Sequence, residues 1–115
     1  MPTTNELAWA AGFLEGEGFF GNESRGYGFR VAARQNEPYP LEKLQRLFGG
    51  PICSVSTVSN KFSRQSVIFD WTVSGERARG VAFTLYTLLS PRRRKQVREA
   101  LARTGKWRSA KPGRA

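Results

Sequence analysis

An α+β domain, with a four-stranded antiparallel sheet and its helices gathered on one face, is the fold these 115 residues predict. Three observations lead there. Two pairs of short segments alternate apolar and polar residues with a period of two, and a helical pattern precedes each pair. Two further helical patterns close the chain, so the order reads helix, two strands, helix, two strands, helix, helix. The most regular strand carries arginines on its polar side, so one sheet face is apolar and the other is left open.

Each element has a local cause. Thr3-Thr-Asn-Glu6 has the spacing of a capping box, so the first helix starts near Thr4 and is expected to run to Glu15, where Gly16 and Gly18 stop it. Phe19 and Phe20 begin an extended segment that reaches a turn at Ser24-Arg-Gly-Tyr-Gly28. The return strand spans Phe29 to Gln35, with Phe29, Val31 and Ala33 on one face and Arg30, Ala32 and Arg34 on the other. Pro38-Tyr-Pro40 breaks it, and Leu41, Leu44, Leu47 and Phe48 form a short helix that Gly49-Gly-Pro51 closes. The third strand, Ile52 to Val58, is expected to put Cys53, Val55 and Thr57 on one face, with Cys53 a core thiol, and Ser54 and Ser56 on the other. A polar turn bearing Lys61 and Arg64 leads to Val67 to Val73, where Phe69, Trp71 and Val73 point inward and Asp70 and Thr72 outward. A third helix spans roughly Glu76 to Leu89. Ser90-Pro91 caps a fourth, from Arg92 to about Thr104, which ends at Gly105. The reading is one domain over residues 1–105 and a basic flexible tail over 106–115.

Composition narrows the chemistry. With no histidine and one cysteine, a zinc site, a histidine-dependent triad and an internal disulfide are excluded, so any metal must be a hard, oxygen-bound cation such as Mg²⁺. No apolar run approaches the roughly 18 residues that span a bilayer, and the N-terminus lacks a signal-peptide pattern, so no membrane and an intracellular location are expected. The net charge is +10, and residues 91–115 hold ten Lys or Arg against Glu99 alone. A polyanionic partner follows, with nucleic acid ahead of an acidic membrane because no amphipathic stripe accompanies the charge. The plainer reading is a solvated basic tail. The Arg30–Arg34 ribbon about ten residues long covers roughly 33 Å. That is close to one turn of duplex, and arginine can bond guanine O6 and N7 in the major groove. A merely solvated sheet face is the alternative.

The stretch Trp9 to Phe20 carries the chemistry. Ala8, Gly12 and Gly16 recur every four residues, so a seam of small side chains lets another helix backbone approach closely. Glu17 lies at the foot of that seam. The last turn exposes carbonyls and the negative end of the dipole, so an acid there calls for a cation and reads as a divalent-metal ligand.

Ala10-Ala-Gly-Phe-Leu-Glu-Gly-Glu-Gly18 resembles the nine-residue signature of the LAGLIDADG homing endonucleases, with Ala10 in place of leucine and Glu15 and Glu17 in place of both aspartates. The element order over residues 6 to about 104 is also similar to that family's fold. The resemblance implies helices on one face of the sheet and a concave DNA-binding face. A single motif implies a homodimer joined through Ala8, Ala11, Gly12, Glu15 and Gly16, with Glu17 binding metal and the Gly16 carbonyl an extra ligand. Two Glu17 carboxylates brought together would raise each other's pKa unless cations neutralised them. The family's polar residue at the end of the second strand corresponds to Gln35, six before Leu41. Its basic residue ahead of the C-terminal helix corresponds to Arg93, three before Gln96, with Arg94 and Lys95 as competitors. Gln35 read without the family is a local cap, and Arg93 part of the basic surface. The expected DNA contacts are Arg25 and Tyr27 at the first turn and Arg30, Ala32 and Arg34 on the return strand. Ser54, Ser56, Lys61, Arg64, Asp70 and Thr72 join from the second hairpin, and Arg94 and Lys95 from the basic stretch.

The expectation is therefore a Mg²⁺-dependent, site-specific double-strand DNA endonuclease, active as a homodimer on a long pseudo-palindromic target. The resemblance adds 3′ overhangs and residence in a mobile intron, an intein or a phage genome. A non-cleaving DNA- or RNA-binding module, such as a transcriptional regulator or an intron maturase, is the alternative. A general architectural basic protein is the third reading, and leaves Glu17 unexplained.

Overall fold

Thr3 caps the first helix reciprocally: its Oγ1 accepts from the Glu6 amide at 3.1 Å, and its own amide donates to Glu6 Oε1 at 2.8 Å. The computed structural model describes residues 2–23, 28–59 and 64–109. Within them the chain forms α1 (Thr4–Glu17), β1 (Gly18–Asn22), β2 (Phe29–Gln35), α2 (Pro38–Phe48), β3 (Ile52–Ser59) and β4 (Arg64–Ser74). Then come α3 (Gly75–Leu85), a 3₁₀ turn (Tyr86–Leu88) and α4 (Pro91–Ser109). The four strands pair antiparallel in the order β1-β2-β4-β3, so the two hairpins meet through β2 and β4 at the centre. The architecture is α+β. No helix among the described residues is long and apolar enough to cross a membrane.

One face of the sheet holds the core. Phe20, Phe29, Val31, Ala33, Trp71 and Val73 are buried there against Ala10 and Leu14 of α1, Leu41 and Leu44 of α2, Ala78, Val81, Ala82 and Leu85 of α3, and Val97 and Ala100 of α4. All the buried strand positions but Gly21 and Ala32 share the parity of Val31, and the register lays them side by side across β1, β2 and β4. Trp71 sits at the centre, fully buried, and its Nε1 donates to the Gly49 carbonyl at 2.9 Å, fixing the end of α2 to β4. That junction requires Gly50: φ is 95°, and a Cβ there would lie 2.5 Å from Val73 Cγ1.

The boundaries of three helices differ from expectation: α3 ends at Leu85 and a 3₁₀ turn follows, where one helix to Leu89 was expected. Helix α1 continues through Gly16 to Glu17, and α4 continues through Gly105 to Ser109, where an end at Gly105 was expected. A glycine costs a helix about 1 kcal/mol, less than the tertiary anchors on these helices supply. Leu14 is buried under the end of α1, and Val97 and Ala100 hold α4 to the sheet. Asn22 Nδ2 also donates to the Ala100 carbonyl at 3.0 Å, tying β1 to α4.

Trp71→Ala removes the largest fully buried side chain and orphans the Gly49 carbonyl. The expected loss is about 3–5 kcal/mol, read as a lower urea midpoint of cooperative unfolding.

Candidate carboxylate and sheet-face site

The face of the sheet away from the helices carries Phe19 of β1, Arg30, Ala32 and Arg34 of β2, and Asp70 and Thr72 of β4, as alternation and register require. Cross-strand rows run Phe19, Ala32, Thr72 and then Arg34, Asp70, Cys53. Glu17, Phe19, Arg30, Ala32, Ala33, Arg34 and Asp70 line an open depression of about 400 Å³ on this face. Gly21 helps shape it. A Cβ on Gly21 would lie 2.5 Å from Phe19 Cζ, so the bare backbone lets the ring lie across the strand. The Arg30 guanidinium carbon then stands 4.9 Å from the Phe19 ring centroid, in cation–π range.

Glu17 ends α1 at the rim of this depression, exposed, with no hydrogen bond or ion pair among the described residues. Ala8, Gly12 and Gly16 are exposed along the same helix, and nothing lies within 4 Å of a Cβ built at either glycine. The neighbouring Glu15 turns the other way, and its Oε1 accepts from the Ser90 amide at 2.9 Å, just ahead of α4. That hydrogen bond holds its carboxyl below the usual range; desolvation opposes the shift, and Arg93 and Arg92 reinforce it.

Arg93 answers Glu15 from the far side of the junction. Its Nε donates to the Glu15 main-chain carbonyl at 3.0 Å, its Nη1 to Gln96 Oε1 at 2.9 Å, and its amide to Ser90 Oγ at 3.2 Å. Its guanidinium also stands 5.7 Å from the Phe20 ring centroid, and the residue is only 8% exposed. Burial pushes its pKa down, Arg92 adds to that, and Glu15 opposes it. The cation that the carbonyl end of α1 demands is thus supplied within the chain by Arg93. The dipole argument for a metal is met there, which leaves the free Glu17 carboxylate as the ground for one.

The expected site residues divide accordingly. Glu17, Arg30, Ala32, Arg34 and Asp70 share one depression, with Thr72 behind Asp70. Gln35 does not join them: it has the parity of Val31 and Ala33, pairs with Phe69, and is half-buried on the helix side. Arg94 lies 6.0 Å from the Tyr86 ring, and Lys95 is exposed on α4. Ala11, expected at a dimer surface, is instead 2% exposed in the chain's own core.

The expected faces of β3 are inverted. Ile52 pairs with buried Trp71 and Cys53 with Asp70, so Cys53 and Val55 belong to the open face, and Cys53 is an exposed thiol rather than a core one. Ser54 pairs with Phe69 on the helix side, and Ser56 follows it in register opposite Val67. Arg64 begins β4. Arg25, Tyr27 and Lys61 lie outside the described residues. Sequence reasoning passed over Phe19 as a member of the open face, because its face is set by the pairing of β1 with β2 and not by a count along one strand. It gave no signal at all for the Glu15–Ser90–Arg93 junction, in which Glu15 lies 75 and 78 residues from its two partners.

No protein-family model matches this chain, and a search of curated proteins finds no match.

The lowered pKa of Glu15 has a defined sign. A carboxyl whose folded pKa lies below its unfolded value, near 4.3, contributes stability above that pH and loses it as pH falls through the folded value. Glu15→Gln should therefore be less stable than the wild type at pH 7, with the difference shrinking towards zero under acid. Thermal melts of the two proteins from pH 7 to pH 3 measure it.

Proposed function

We propose that the chain is a site-specific double-strand DNA endonuclease of the LAGLIDADG type, acting as a homodimer. One observation carries the reading: an exposed carboxylate with no partner among the described residues, Glu17, ends a helix at the rim of an arginine-bearing open sheet face. The exposed seam of Ala8, Gly12 and Gly16 on the same helix adds to it. A second copy packed on that seam would set two Glu17 side chains beside each other between two cationic sheet faces. The element order and the likeness of residues 10–18 to the family signature support the same reading.

Glu17 and the Gly16 carbonyl are hard oxygen donors of the kind Mg²⁺ takes, and one chain offers half of a binding set. A magnesium ion, when bound, supplies polarisation of a phosphoryl oxygen and a more acidic water. The chain's own part is to present duplex DNA to those carboxylates. Arg30, with the cations of residues 91–115 other than the buried Arg93, supplies the electrostatic attraction and its salt dependence. Arg93 acts here by holding the end of α1, and with it Glu17, in a fixed place.

A non-cleaving DNA- or RNA-binding protein is the second reading, and the commitment of Arg93 favours it. A guanidinium engaged with Glu15 and Gln96 is not free to order solvent at a reacting phosphate.

Incubation with a DNA library and Mg²⁺, followed by sequencing of the ends, should yield defined double-strand cuts. Glu17→Gln should bind the same sites and leave them whole, a loss in rate of at least a hundredfold on the order expected for removing an electrostatic catalyst. Protected sites that the wild type never cuts would establish the second reading. Equal binding to every sequence would remove both.

A further inference from the structure

The two arginines of the open face are held in different ways. Arg30 lies on the Phe19 ring, and its buried Nε has no hydrogen-bond partner among the described residues. Arg34 is gripped by its Nε alone, which donates to Asp70 Oδ2 at 3.0 Å, while Asp70 Oδ1 accepts from Thr72 Oγ1 at 3.0 Å. Asp70 is the sheltered partner, with 21% of its side chain exposed, and Arg34 the projecting one, with 70% exposed. Direct cross-strand pairing of Arg34 with Asp70 brings the two together, and Thr72 lies next on the same face of β4.

An ion pair this exposed contributes little to stability, so stability does not account for the arrangement. Attraction to phosphate does not either, because a carboxylate beside the arginine cancels its charge and repels a phosphodiester. What a carboxylate on Nε does is stop the guanidinium from swinging. The Nη1 and Nη2 groups make no hydrogen bond among the described residues, which leaves the end of the fork as two coplanar donors. Guanine alone among the bases presents two adjacent acceptors, O6 and N7, on its major-groove edge. Adenine offers a donor beside N7, which meets the fork donor to donor.

We propose that Arg34 recognises a guanine through Nη1 and Nη2, and that Asp70, steadied by Thr72, is the positioning residue that makes this preference. The proposal rests on the open face being a DNA surface. It changes the role of Asp70 and Thr72 from contacting DNA to aiming the residue that does. In a two-fold dimer the guanine recurs once in each half-site.

Selection from a randomised duplex pool with the full chain in Mg²⁺-free buffer tests it, alongside Asp70→Asn, Thr72→Val and Arg34→Lys. The wild type should enrich guanine at one position per half-site. Arg34→Lys, a point charge without a fork, should lose that preference and keep its affinity for the remaining positions. Asp70→Asn should weaken the preference at that position roughly tenfold while binding random duplex as tightly as the wild type or more so, with an unchanged melting temperature. Thr72→Val should fall between. If Asp70→Asn selects guanine as strongly as the wild type, or if Arg34→Lys weakens every position alike, the proposal is overturned and Arg34 is a phosphate contact. If the wild type selects no sequence, the DNA-reading surface itself fails, an outcome distinct from either.

Discussion

Helix α1 ends with the Glu15 carbonyl on a buried arginine, and the geometry of the candidate site descends from that contact. Arg93 reaches Glu15's carbonyl from the first turn of α4, while Glu15's side chain reaches back to the amide of Ser90. A helix C-terminus gains a cation, and the approach to a helix N-terminus gains an anion, so both dipole ends are answered by one reciprocal pair. The pair is partly buried, and breaking it on either side would leave a desolvated group without its partner. Because α1 runs straight into β1 at Gly18, fixing that end also fixes where Glu17 stands relative to the sheet.

The two acids of the motif are thereby given opposite tasks by a rotation of two residues. Glu15 faces α4 and is consumed in holding the fold, whereas Glu17 faces the open side of the sheet and has no hydrogen bond or ion pair among the described residues. A carboxylate that lines one depression with Arg30 and Arg34 and has no partner among the described residues is not favoured by the helix C-terminus it stands on. The open face is not uniformly cationic. Asp70 offsets Arg34, and Phe19 covers Gly21 and supports Arg30, so the surface presents a pattern rather than a field. Patterned donors are what base recognition requires, and a plain field is what phosphate attraction requires.

Much of this was legible before any coordinates. The capping box, the strand break and helix start at Pro38, the helix stop at Gly49, and the alternation in β2 each rest on interactions between residues a few positions apart, which a linear reading captures. The helix ends at Gly16 and Gly105 were misplaced because a glycine's local cost was set against packing from Leu14, Val97 and Ala100 that the linear reading does not weigh. Asp70 was expected to contact DNA and not to pair with Arg34, because it lies 36 residues away in sequence and directly opposite in the sheet.

The sequence by itself determined the type and order of the elements, the excess of cations near the C-terminus and the presence of two acids at the end of the first helix. The tertiary structure decided which face β3 shows, since a period of two with small and polar residues on both sides defines two faces without saying which is buried. Cys53 and Ser54 traded sides because Ile52 had to meet Trp71. It also decided which acid is spent and which is free, because a helix end is neutral or needy only according to what folds against it, and Arg93 arrives from the other end of the chain.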